Sequence, residues 1–319
     1  MKKYYQLMIL AVPLLFLVYI CSVSAASGIA AYYVGPGEAY MATLDGRARE
    51  ITNTTSNTLF IPVRTLAEQQ SFLNNLPVGV AIWNGCGENY IDLRDSNIYP
   101  TVQIGNQCWM KKNLAYLPSV VGPGTGSETT PYYYVYGYDG TDVSAAKVNS
   151  NYTTYGVLYN WPAAMNGQTG EGVQGICPSG WHLPTDAEWN VLETYTVSVI
   201  NSPNPQYPCS TSEYGWRRCA DDSGTDAGGT YGAGKSLKKV GQGTGVGAGD
   251  DLVGFSALLA GYRYTNGSFY DLGSYPSFWS SSASSSSDAW QRNLNTSSSM
   301  VYRYNYNKAY GFSVRCLRD

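Results

Sequence analysis

The most strongly patterned stretch of the chain runs from Cys177 to Trp189, where a strand-like run turns into a helix. Thr185 and Glu188 have the spacing of a capping box, in which a hydroxyl and a carboxylate satisfy the amides of a first helical turn. Apolar or aromatic side chains then recur at helical spacing, at Trp189, Leu192 and Tyr195. The pattern therefore predicts a cysteine-bearing strand that turns sharply into an amphipathic helix ending near Val199.

Residues 26–84 alternate short apolar runs with turn residues, a pattern typical of a small β-rich segment. Strands are predicted at three positions: Ala30–Tyr33, Ala39–Leu44 and Leu59–Val63. A second capping box, Thr65 with Glu68, predicts a short helix toward Asn74. Because about sixty residues make a marginal independent core, we expect this segment to pack on the next domain, to act as a stalk, or both.

Residues 85–319 continue with alternating strands and long polar connections. Tyr90–Asp95 and Thr101–Met110 alternate between apolar and polar residues, as the two strands of a hairpin do. Residues 118–150 and 201–250 are predicted to be loops, the first of them a long surface loop. Three residues fall on one face of the predicted last strand, as a buried terminal strand requires: Phe312, Val314 and Cys316.

Five runs in this part of the chain carry a family resemblance: Thr101–Met110, Tyr155–Trp161, Leu183–Trp189, Gly254–Arg263 and Tyr310–Cys316. In this order and spacing, the chain from Cys86 onward resembles the Fibrobacter succinogenes major paralogous domain. The run Leu-Pro-Thr-Asp-Ala-Glu-Trp is also similar to the signature of the C-type-lectin-like and formylglycine-generating-enzyme-like superfamily. The resemblance implies an α+β fold for residues 85–319, with twisted antiparallel sheets, few helices and long loops.

The N-terminal residues have the pattern of an export signal. Lys2 and Lys3 precede an apolar run from Leu7 to Val23, and small residues follow up to Ala25. Residues 1–25 are therefore predicted to be a signal peptide, and the protein to be secreted or attached to the cell surface. The run is long enough that an uncleaved membrane anchor stays an alternative.

Six cysteines remain once the predicted signal peptide is removed: Cys86, Cys108, Cys177, Cys209, Cys219 and Cys316. An even number in an exported chain indicates disulfides, although six cysteines allow fifteen pairings. Sequence proximity favours Cys209 with Cys219 and Cys86 with Cys108. Cys177 would then pair with Cys316 and close the C-terminal domain.

The amino-acid composition and net charge argue against some classes of binding partner. The chain has 29 tyrosines and 35 glycines, which suit half-buried strands and tight turns. Its formal net charge of -3 is too small to favour nucleic acid or an anionic membrane. No basic stripe with interleaved aromatic residues is present in the sequence either. We therefore expect no nucleic-acid partner.

Candidate catalytic groups are sparse. His182 is the one histidine in the sequence, and its place in the fold signature favours a structural role. Formylglycine-generating enzymes work through a pair of cysteines near the C-terminus, and other enzymes of the superfamily bind iron through several histidines. This chain has only Cys316 near its C-terminus. The sequence therefore predicts a protein that is not an enzyme and has no catalytic cofactor.

Two further patterns suggest ligands. Gly229–Ser236 matches the phosphate-loop pattern, but the aspartate-rich residues before it are no core strand, so we do not interpret it as a nucleotide site. Aspartates in glycine-rich loops can hold calcium through their oxygens: Asp221, Asp222, Asp226, Asp250 and Asp251. The calcium-dependent sugar motifs of C-type lectins are absent from the sequence. Solvated aspartates are therefore preferred, and structural calcium stays an alternative.

Residues 262–310 have the composition of a recognition surface, because tyrosine gives rigid amphipathic contacts while serine and asparagine adapt their hydrogen bonds. The predicted ligand-binding residues are Tyr262, Tyr264, Asn266, Arg292, Asn293, Asn295, Tyr302, Arg303, Tyr304, Asn305, Tyr306 and Asn307. Along a strand the tyrosines from 302 to 306 share one face and residues 303, 305 and 307 share the other, so that one set is core and the other exposed. Trp279 and Trp290 are interpreted as core, and an ordinary secreted β surface is the alternative to a ligand site.

These patterns together predict an exported, non-catalytic binding or adhesion module for a carbohydrate or a surface protein. The resemblance adds a sharper hypothesis, because C-type-lectin-like domains include the variable proteins of diversity-generating retroelements. Residues 290–307 have the composition and the C-terminal place of the diversified segment. A structural envelope component and, with less support, a superfamily enzyme are the alternatives.

Overall fold

A computed structural model describes residues 31–44, 47–62, 65–78, 80–200, 215–217 and 232–319. The predicted signal peptide, residues 1–25, lies outside this range. The chain divides into two compact units, one that ends at Asn84 and one that runs from Gly85 to Asp319. Among the described residues, no helix combines the length and the apolar character that crossing a bilayer requires.

The first unit consists of two small antiparallel sheets and one helix. Its elements are β1 (Ala31–Val34), β2 (Ala39–Leu44), β3 (Arg47–Asn53), β4 (Leu59–Pro62), α1 (Leu66–Asn74) and β5 (Val80–Trp83). β1 pairs with β4, while β2, β3 and β5 form a three-stranded sheet in that order. Apolar side chains from both sheets form one buried cluster that includes Leu44, Ile51 and Ile61.

The helix of this unit begins where the sequence predicts. Thr65 Oγ1 accepts the amide of Glu68 at 3.1 Å, and Glu68 Oε2 accepts the amide of Thr65 at 3.1 Å, so the capping box is confirmed. β3 was not predicted from the sequence, because the charged residues Arg47, Arg49 and Glu50 obscure its alternation of apolar and polar positions.

Among its described residues, the second unit contains three mostly antiparallel sheets and five short helices. Its strands before the main helix are β6 (Asn89–Asp92), β7 (Asn97–Ile104), β8 (Gln107–Met110), β9 (Tyr133–Tyr134), β10 (Leu158–Tyr159) and β11 (Trp181–His182). Those after it are β12 (Gly215–Arg217), β13 (Ala260–Arg263), β14 (Phe269–Leu272), β15 (Ser277–Ala283), β16 (Asp288–Asn295), β17 (Ser298–Asn307), β18 (Phe312–Ser313) and β19 (Leu317–Arg318). The helices are α2 (Val143–Lys147), α3 (Ser150–Tyr155), α4 (Trp161–Met165), α5 (Asp186–Val199) and α6 (Ala233–Leu237).

The strands of this unit are ordered differently in space than along the chain. The largest sheet has the order β12-β17-β16-β15-β18-β10-β9, and a second sheet has the order β11-β19-β8-β7-β6. β13 and β14 form a separate hairpin. All pairs are antiparallel except β15 with β18. Antiparallel sheets with a few short helices are consistent with the predicted α+β class.

The core of the second unit surrounds Trp189 on α5. The Trp189 ring lies 5.0 Å from that of Trp109, 5.8 Å from that of Phe255 and 5.6 Å from that of Phe278, measured between centroids. α5 begins and ends as predicted, with Thr185 and Glu188 forming the capping box. Tyr195 departs from the prediction: its side chain is 38% exposed, because the helix turns Trp189 and Leu192 toward the core instead.

Two disulfides brace this unit. Cys86 is bonded to Cys108, and Cys177 is bonded to Cys316 across 139 residues of sequence. Both predicted pairings are confirmed, while the third predicted pair, Cys209 with Cys219, lies outside the described residues. The second bond joins the turn before β11 to the residue before β19, so it secures two strands that also pair with each other.

Several predicted features of this unit need correction. Residues 201–250 were predicted to be a loop, but their described part contains β12 and α6. Thr101–Met110 is divided between β7 and β8, which pair with each other. Residues 118–150 are more than a surface loop, because they contain β9 and α2 and bury Tyr134 and Val135. The predicted last strand is divided between two sheets. β18 pairs with β10 and β15, and β19 pairs with β8 and β11. All side chains from Phe312 to Leu317 are buried, so the expected one-sided alternation is lost.

Candidate functional site

The β16–β17 hairpin separates two chemically different faces. Its register places Arg292 opposite Arg303 and Asn293 opposite Tyr302. Residues directly opposite each other share a face of a sheet, and neighbours along a strand alternate between faces. One face of the hairpin therefore carries the arginines, and the other carries Asn293 and the tyrosines of β17.

The arginine face is occupied by an ion network with α5. Arg292 reaches Glu193 through Nε at 2.5 Å and Asp186 through Nη1 at 2.7 Å, and its Nη2 donates to Asn190 at 2.9 Å. Arg303 contacts both carboxylate oxygens of Asp186. Burial opposes ionisation of Asp186, but the contacts with Arg303 and Arg292 outweigh it and lower its pKa below the ordinary value.

This network corrects the predicted ligand surface at two positions. Arg292 is 1% exposed and Arg303 is 6% exposed, so neither side chain is at the surface. The Arg303 guanidinium also lies 3.5 Å from the ring of the half-buried Trp290. The carboxylates of α5 supply the reason, because a buried arginine needs a charged or hydrogen-bonding partner. Both arginines hold α5 against the hairpin.

The opposite face of the hairpin forms one wall of a cleft of about 330 Å³, which we call the tyrosine cleft. Most of the lining is aromatic: Tyr262, Tyr264, Tyr275, Tyr302, Tyr306, Tyr310 and Phe312. Three polar residues complete it: Asp271, Ser277 and Asn293. The lining thus comes from β13, β14, β15, β16, β17 and the residues around β18. No single element forms this cleft; the strand order of the fold assembles it.

The aromatic side chains of the cleft contact one another. Tyr302 stacks on Tyr304 with ring centroids 5.4 Å apart and planes at 7°. Tyr306 continues this row at 5.5 Å from Tyr304, and Tyr310 lies 5.0 Å from Tyr306. Tyr264 closes the other side at 5.0 Å from Tyr310. Such pairs are worth about 0.5–1.5 kcal/mol each beyond their buried area, so the wall is stiff.

The polar groups of the lining are paired mainly with one another. Burial and a hydrogen bond to the Asp271 carboxylate raise the pKa of Tyr262. Burial and a hydrogen bond with Tyr264 raise the pKa of Tyr310. Asn293 Nδ2 donates to Ser277 Oγ at 3.0 Å. The phenols of Tyr262 and Tyr310 therefore stay uncharged at neutral pH, and Asp271 is the one carboxylate in the lining.

Asp271 has an unusual backbone conformation. Its φ is +59°, in the left-handed region that aspartate and asparagine tolerate better than most other side chains. Its carbonyl accepts the amides of Ser274 at 2.9 Å and Tyr275 at 3.0 Å, which closes a tight turn after β14. The turn fixes the position of the carboxylate at the cleft.

Several predicted site residues meet in this cleft, while others lie outside it. Five of them line it: Tyr262, Tyr264, Asn293, Tyr302 and Tyr306. Tyr304 stacks between two of these. Asn295 Nδ2 donates to the hydroxyl of Tyr275 at 2.7 Å, and Asn266 Nδ2 donates to that of Tyr270 at 2.8 Å. Asn305 lies on the face of Arg303, and Asn307 donates to Glu128 at 2.7 Å.

Five lining residues were not predicted: Asp271, Tyr275, Ser277, Tyr310 and Phe312. Tyr310 and Phe312 stand two residues apart, and this period-two spacing was a usable sequence signal. Nothing in the sequence around Asp271 indicates that it faces the tyrosines of β17. That arrangement depends on how the β13–β14 hairpin is placed beside β18.

The sequence of this chain matches a protein-family model, the Fibrobacter succinogenes major domain, over residues 102–318. The chain belongs to this family. The matched residues include the whole arginine network and all the residues of the tyrosine cleft. A search of curated proteins and a search of solved structures find no match to this chain.

Residues 232–236 are the described part of the phosphate-loop pattern, and they pack α6 against β17 within the major domain. A Cβ on Gly232 would lie 2.2 Å from the carbonyl oxygen of Ser299, and one on Gly234 would lie 2.2 Å from that of Met300. Glycine is therefore required for α6 to approach β17. Lys235 Nζ lies 3.7 Å from Asp250.

A second lysine, Lys238, directly follows α6 and holds the turn of the β16–β17 hairpin. Lys238 is fully buried, and its Nζ donates to the carbonyls of Asn295 at 2.5 Å and Ser298 at 2.6 Å. Burial lowers the pKa of Lys238 to about 8. The Lys238 ammonium group thus donates hydrogen bonds to the backbone carbonyls on both sides of the hairpin turn.

The aspartates of the major domain's described loops have local partners. Asp251 accepts the amide of Ser256 at 2.7 Å and its hydroxyl at 2.5 Å. Asp250 accepts the amide of Leu252 at 3.2 Å. Asp221, Asp222 and Asp226 lie outside the described residues. Within the described part of the chain, no group of three or more His, Cys, Asp or Glu residues could hold a metal ion.

His182 and Cys316 of the major domain are both engaged in structural contacts. His182 Nδ1 lies 2.7 Å from Asp319, and Nε2 lies 3.0 Å from Glu188. Burial disfavours the imidazolium, but the contacts with Asp319 and Glu188 outweigh it and raise the pKa of His182 to about 9. The Cys316 thiol is consumed by its bond to Cys177.

The ion network predicts a large cost for removing one arginine. Arg292→Met takes away the cation that contacts Glu193, whose side chain is fully buried. We expect the free energy of unfolding to fall by about 3–5 kcal/mol in urea denaturation. Arg292→Met combined with Glu193→Leu removes both charges and should recover a large part of this loss. A double variant no more stable than the single one would contradict the assignment.

The His182 contacts predict a specific pH dependence. The pKa of His182 in the folded protein, about 9, exceeds the value of about 6.5 expected in the unfolded chain. This contribution to stability is therefore complete below about pH 6.5 and lost as the pH rises through about 9. The stability difference between wild type and His182→Gln should be larger at pH 6 than at pH 10 by about 1–3 kcal/mol, allowing for the partly exposed partners.

Because the sequence contains one histidine, an NMR titration of the imidazole protons reads this pKa directly. A midpoint near the ordinary value of about 6.5 would contradict the paired arrangement.

Proposed function

We propose that this protein is an exported, non-catalytic binding or adhesion module that holds its ligand in the tyrosine cleft. The observation that carries the proposal is the cleft itself, which combines stiff aromatic walls with a polar side at Asp271 and Asn293. A concave aromatic site with few polar groups is the usual form of a ligand pocket. The ligand is a carbohydrate or a surface protein, since tyrosine ring faces suit both.

The proposed location is the cell surface or the exterior. Two disulfides favour an oxidising compartment, and the apolar run after Lys2 and Lys3 favours export. A membrane enters the proposal only through that run, if it is not cleaved. Nucleic acid is not proposed as a partner, because the chain has a net charge of -3 and the hairpin arginines are buried.

The proposed scaffold is of the C-type-lectin-like class. The antiparallel sheets, the paired first and last parts of the domain and the helix that begins at the Thr185 capping box support this assignment. The proposal of no catalysis is supported by the bonding of Cys316 and the pairing of His182 with two carboxylates. A structural envelope component is the second candidate, and a superfamily enzyme the third.

If this chain is a variable protein of a diversity-generating retroelement, its diversified positions must be ones whose side chains the fold does not bury. Within residues 290–307, Arg292, Leu294, Val301 and Arg303 are buried and cannot vary freely, whereas the tyrosines of β17 on the cleft face are half-buried. Diversified codons at the cleft are therefore expected at positions 302, 304 and 306 in related genomic copies. A neighbourhood with neither a reverse-transcriptase gene nor a near-copy of this segment would exclude the hypothesis.

The binding proposal predicts that Tyr264 contributes to affinity. Tyr264 lies at the cleft with 37% of its surface exposed, so Tyr264→Ala should leave the fold intact. We expect binding to a glycan array or to native cell surfaces to weaken roughly 5- to 30-fold, as for an aromatic anchor worth about 1–2 kcal/mol.

Tyr195→Ala is the matched control, because Tyr195 is 38% exposed and lies on α5, outside the cleft lining. Asn305→Ala tests the other face of the hairpin. Full binding by both Tyr264→Ala and Tyr302→Ala would reject the cleft as the ligand site. An unchanged glycan profile combined with lost cell-surface binding would identify a protein ligand.

A further inference from the structure

We propose that the tyrosine cleft recognises a substituted ammonium group, an organic cation whose nitrogen carries methyl or methylene substituents. The proposal rests on the function proposed above and names the ligand chemistry of the same site. Its basis is the combination of aromatic ring faces, one fixed carboxylate and a lining without any cationic side chain.

The charge of the lining is one-sided. Asp271 is the one charged residue in it, and the nearby cationic side chains that the structure describes are directed to other partners. Arg292 and Arg303 bind Asp186 on the far face of the hairpin. Lys308 Nζ donates to the carbonyls of Ser285 and Ser286. Among the described residues of the lining, a cation in the cleft would therefore meet an attractive carboxylate and no repulsive charge.

Arg263 is directed away in the same manner, although it lies between two tyrosines of the lining in sequence. Its Nε donates to the carbonyl of Pro123 and its Nη1 to that of Ala309, both at 2.8 Å. Its guanidinium lies 5.1 Å from the ring of Tyr134, which is not part of the lining. The alternation of β13 thus places Tyr262 and Tyr264 at the cleft without the cation between them.

The aromatic walls supply the second attraction. Cations are attracted to the faces of aromatic rings, and substituted ammonium groups are the ligands best suited to an enclosure of several rings. Tyr262, Tyr264, Tyr306 and Tyr310 surround the cleft from both of its sides. Their contacts with one another hold this enclosure without a ligand.

Hydrogen bonding distinguishes this ligand from a sugar. Much of the polar lining is already paired: Tyr262 with Asp271, Tyr264 with Tyr310, Asn293 with Ser277, and Tyr275 with Asn295. A sugar hydroxyl needs donors and acceptors to replace its hydration, and these pairs would have to break. A substituted ammonium group needs ring faces and a negative charge. The volume of about 330 Å³ also suits a small group.

Choline and its uncharged carbon isostere, in which a tert-butyl group replaces the trimethylammonium group, provide the test. Titration calorimetry of the wild-type protein should show choline binding at least about ten-fold more tightly than the isostere. Asp271→Asn keeps a side chain that tolerates the left-handed backbone and removes the charge. This variant should lose most of the preference for choline.

Glu171→Gln is the matched control, because it removes one exposed carboxylate outside the cleft lining and should leave the preference unchanged. Tyr264→Ala should weaken choline binding. Equal affinity for choline and the isostere, or an unchanged preference in Asp271→Asn, would overturn the proposal. Displacement of choline by phosphocholine or by a trimethyl-lysine peptide would support it and identify the source of the group.

The two proposals can fail separately. If cellobiose binds in a Tyr264-dependent manner and choline does not bind, the ammonium ligand is rejected while the binding module stands. If Tyr264→Ala and Tyr302→Ala both keep full binding to native cell surfaces, the binding site itself is rejected, and the ammonium proposal with it.

Discussion

The ion network between α5 and the β16–β17 hairpin is the constraint on which the orientation of the cleft face depends. Two arginines and two carboxylates meet there, so the buried charges balance as formal charges. Burying these ions is costly, and the cost is offset only when contacts are close and every charged group has partners. The geometry of Asp186, which contacts both arginines, meets this condition. The network thereby fixes which face of the hairpin is turned outward.

The stiffness of the cleft follows from that orientation. With Arg303 held against α5, the period-two geometry of β17 leaves Tyr302, Tyr304 and Tyr306 no alternative to the other face. Their stacking, continued by Tyr310, limits the motion of each ring. A ligand of the proposed site would therefore meet a surface that is ordered in advance, which reduces the entropy lost on binding. Affinity in such a site depends on charge and shape more than on rearrangement.

Features with a local cause could be predicted from the sequence, and features with a distant cause could not. The capping boxes at Thr65 and Thr185 involve residues three positions apart, and both helices begin there. The two faces of β17 were predicted as alternating sets, but the sequence does not state which set is buried. That choice depends on Asp186 and Glu193, more than ninety residues away. Asp271 was missed for the same reason, since it faces tyrosines of β17, a strand far from it in sequence.

The split of residues 312–318 between β18 and β19 has a consequence for the order of folding. β18 lies between β15 and β10, and β19 lies between β11 and β8, so both large sheets are joined through these few residues. Neither sheet can be completed until this part of the chain is present. Contacts between residues so far apart in sequence form slowly, because the loop entropy must be lost first. The second unit should thus remain incompletely folded until residues 312–318 have been synthesised, a state compatible with the export proposed above.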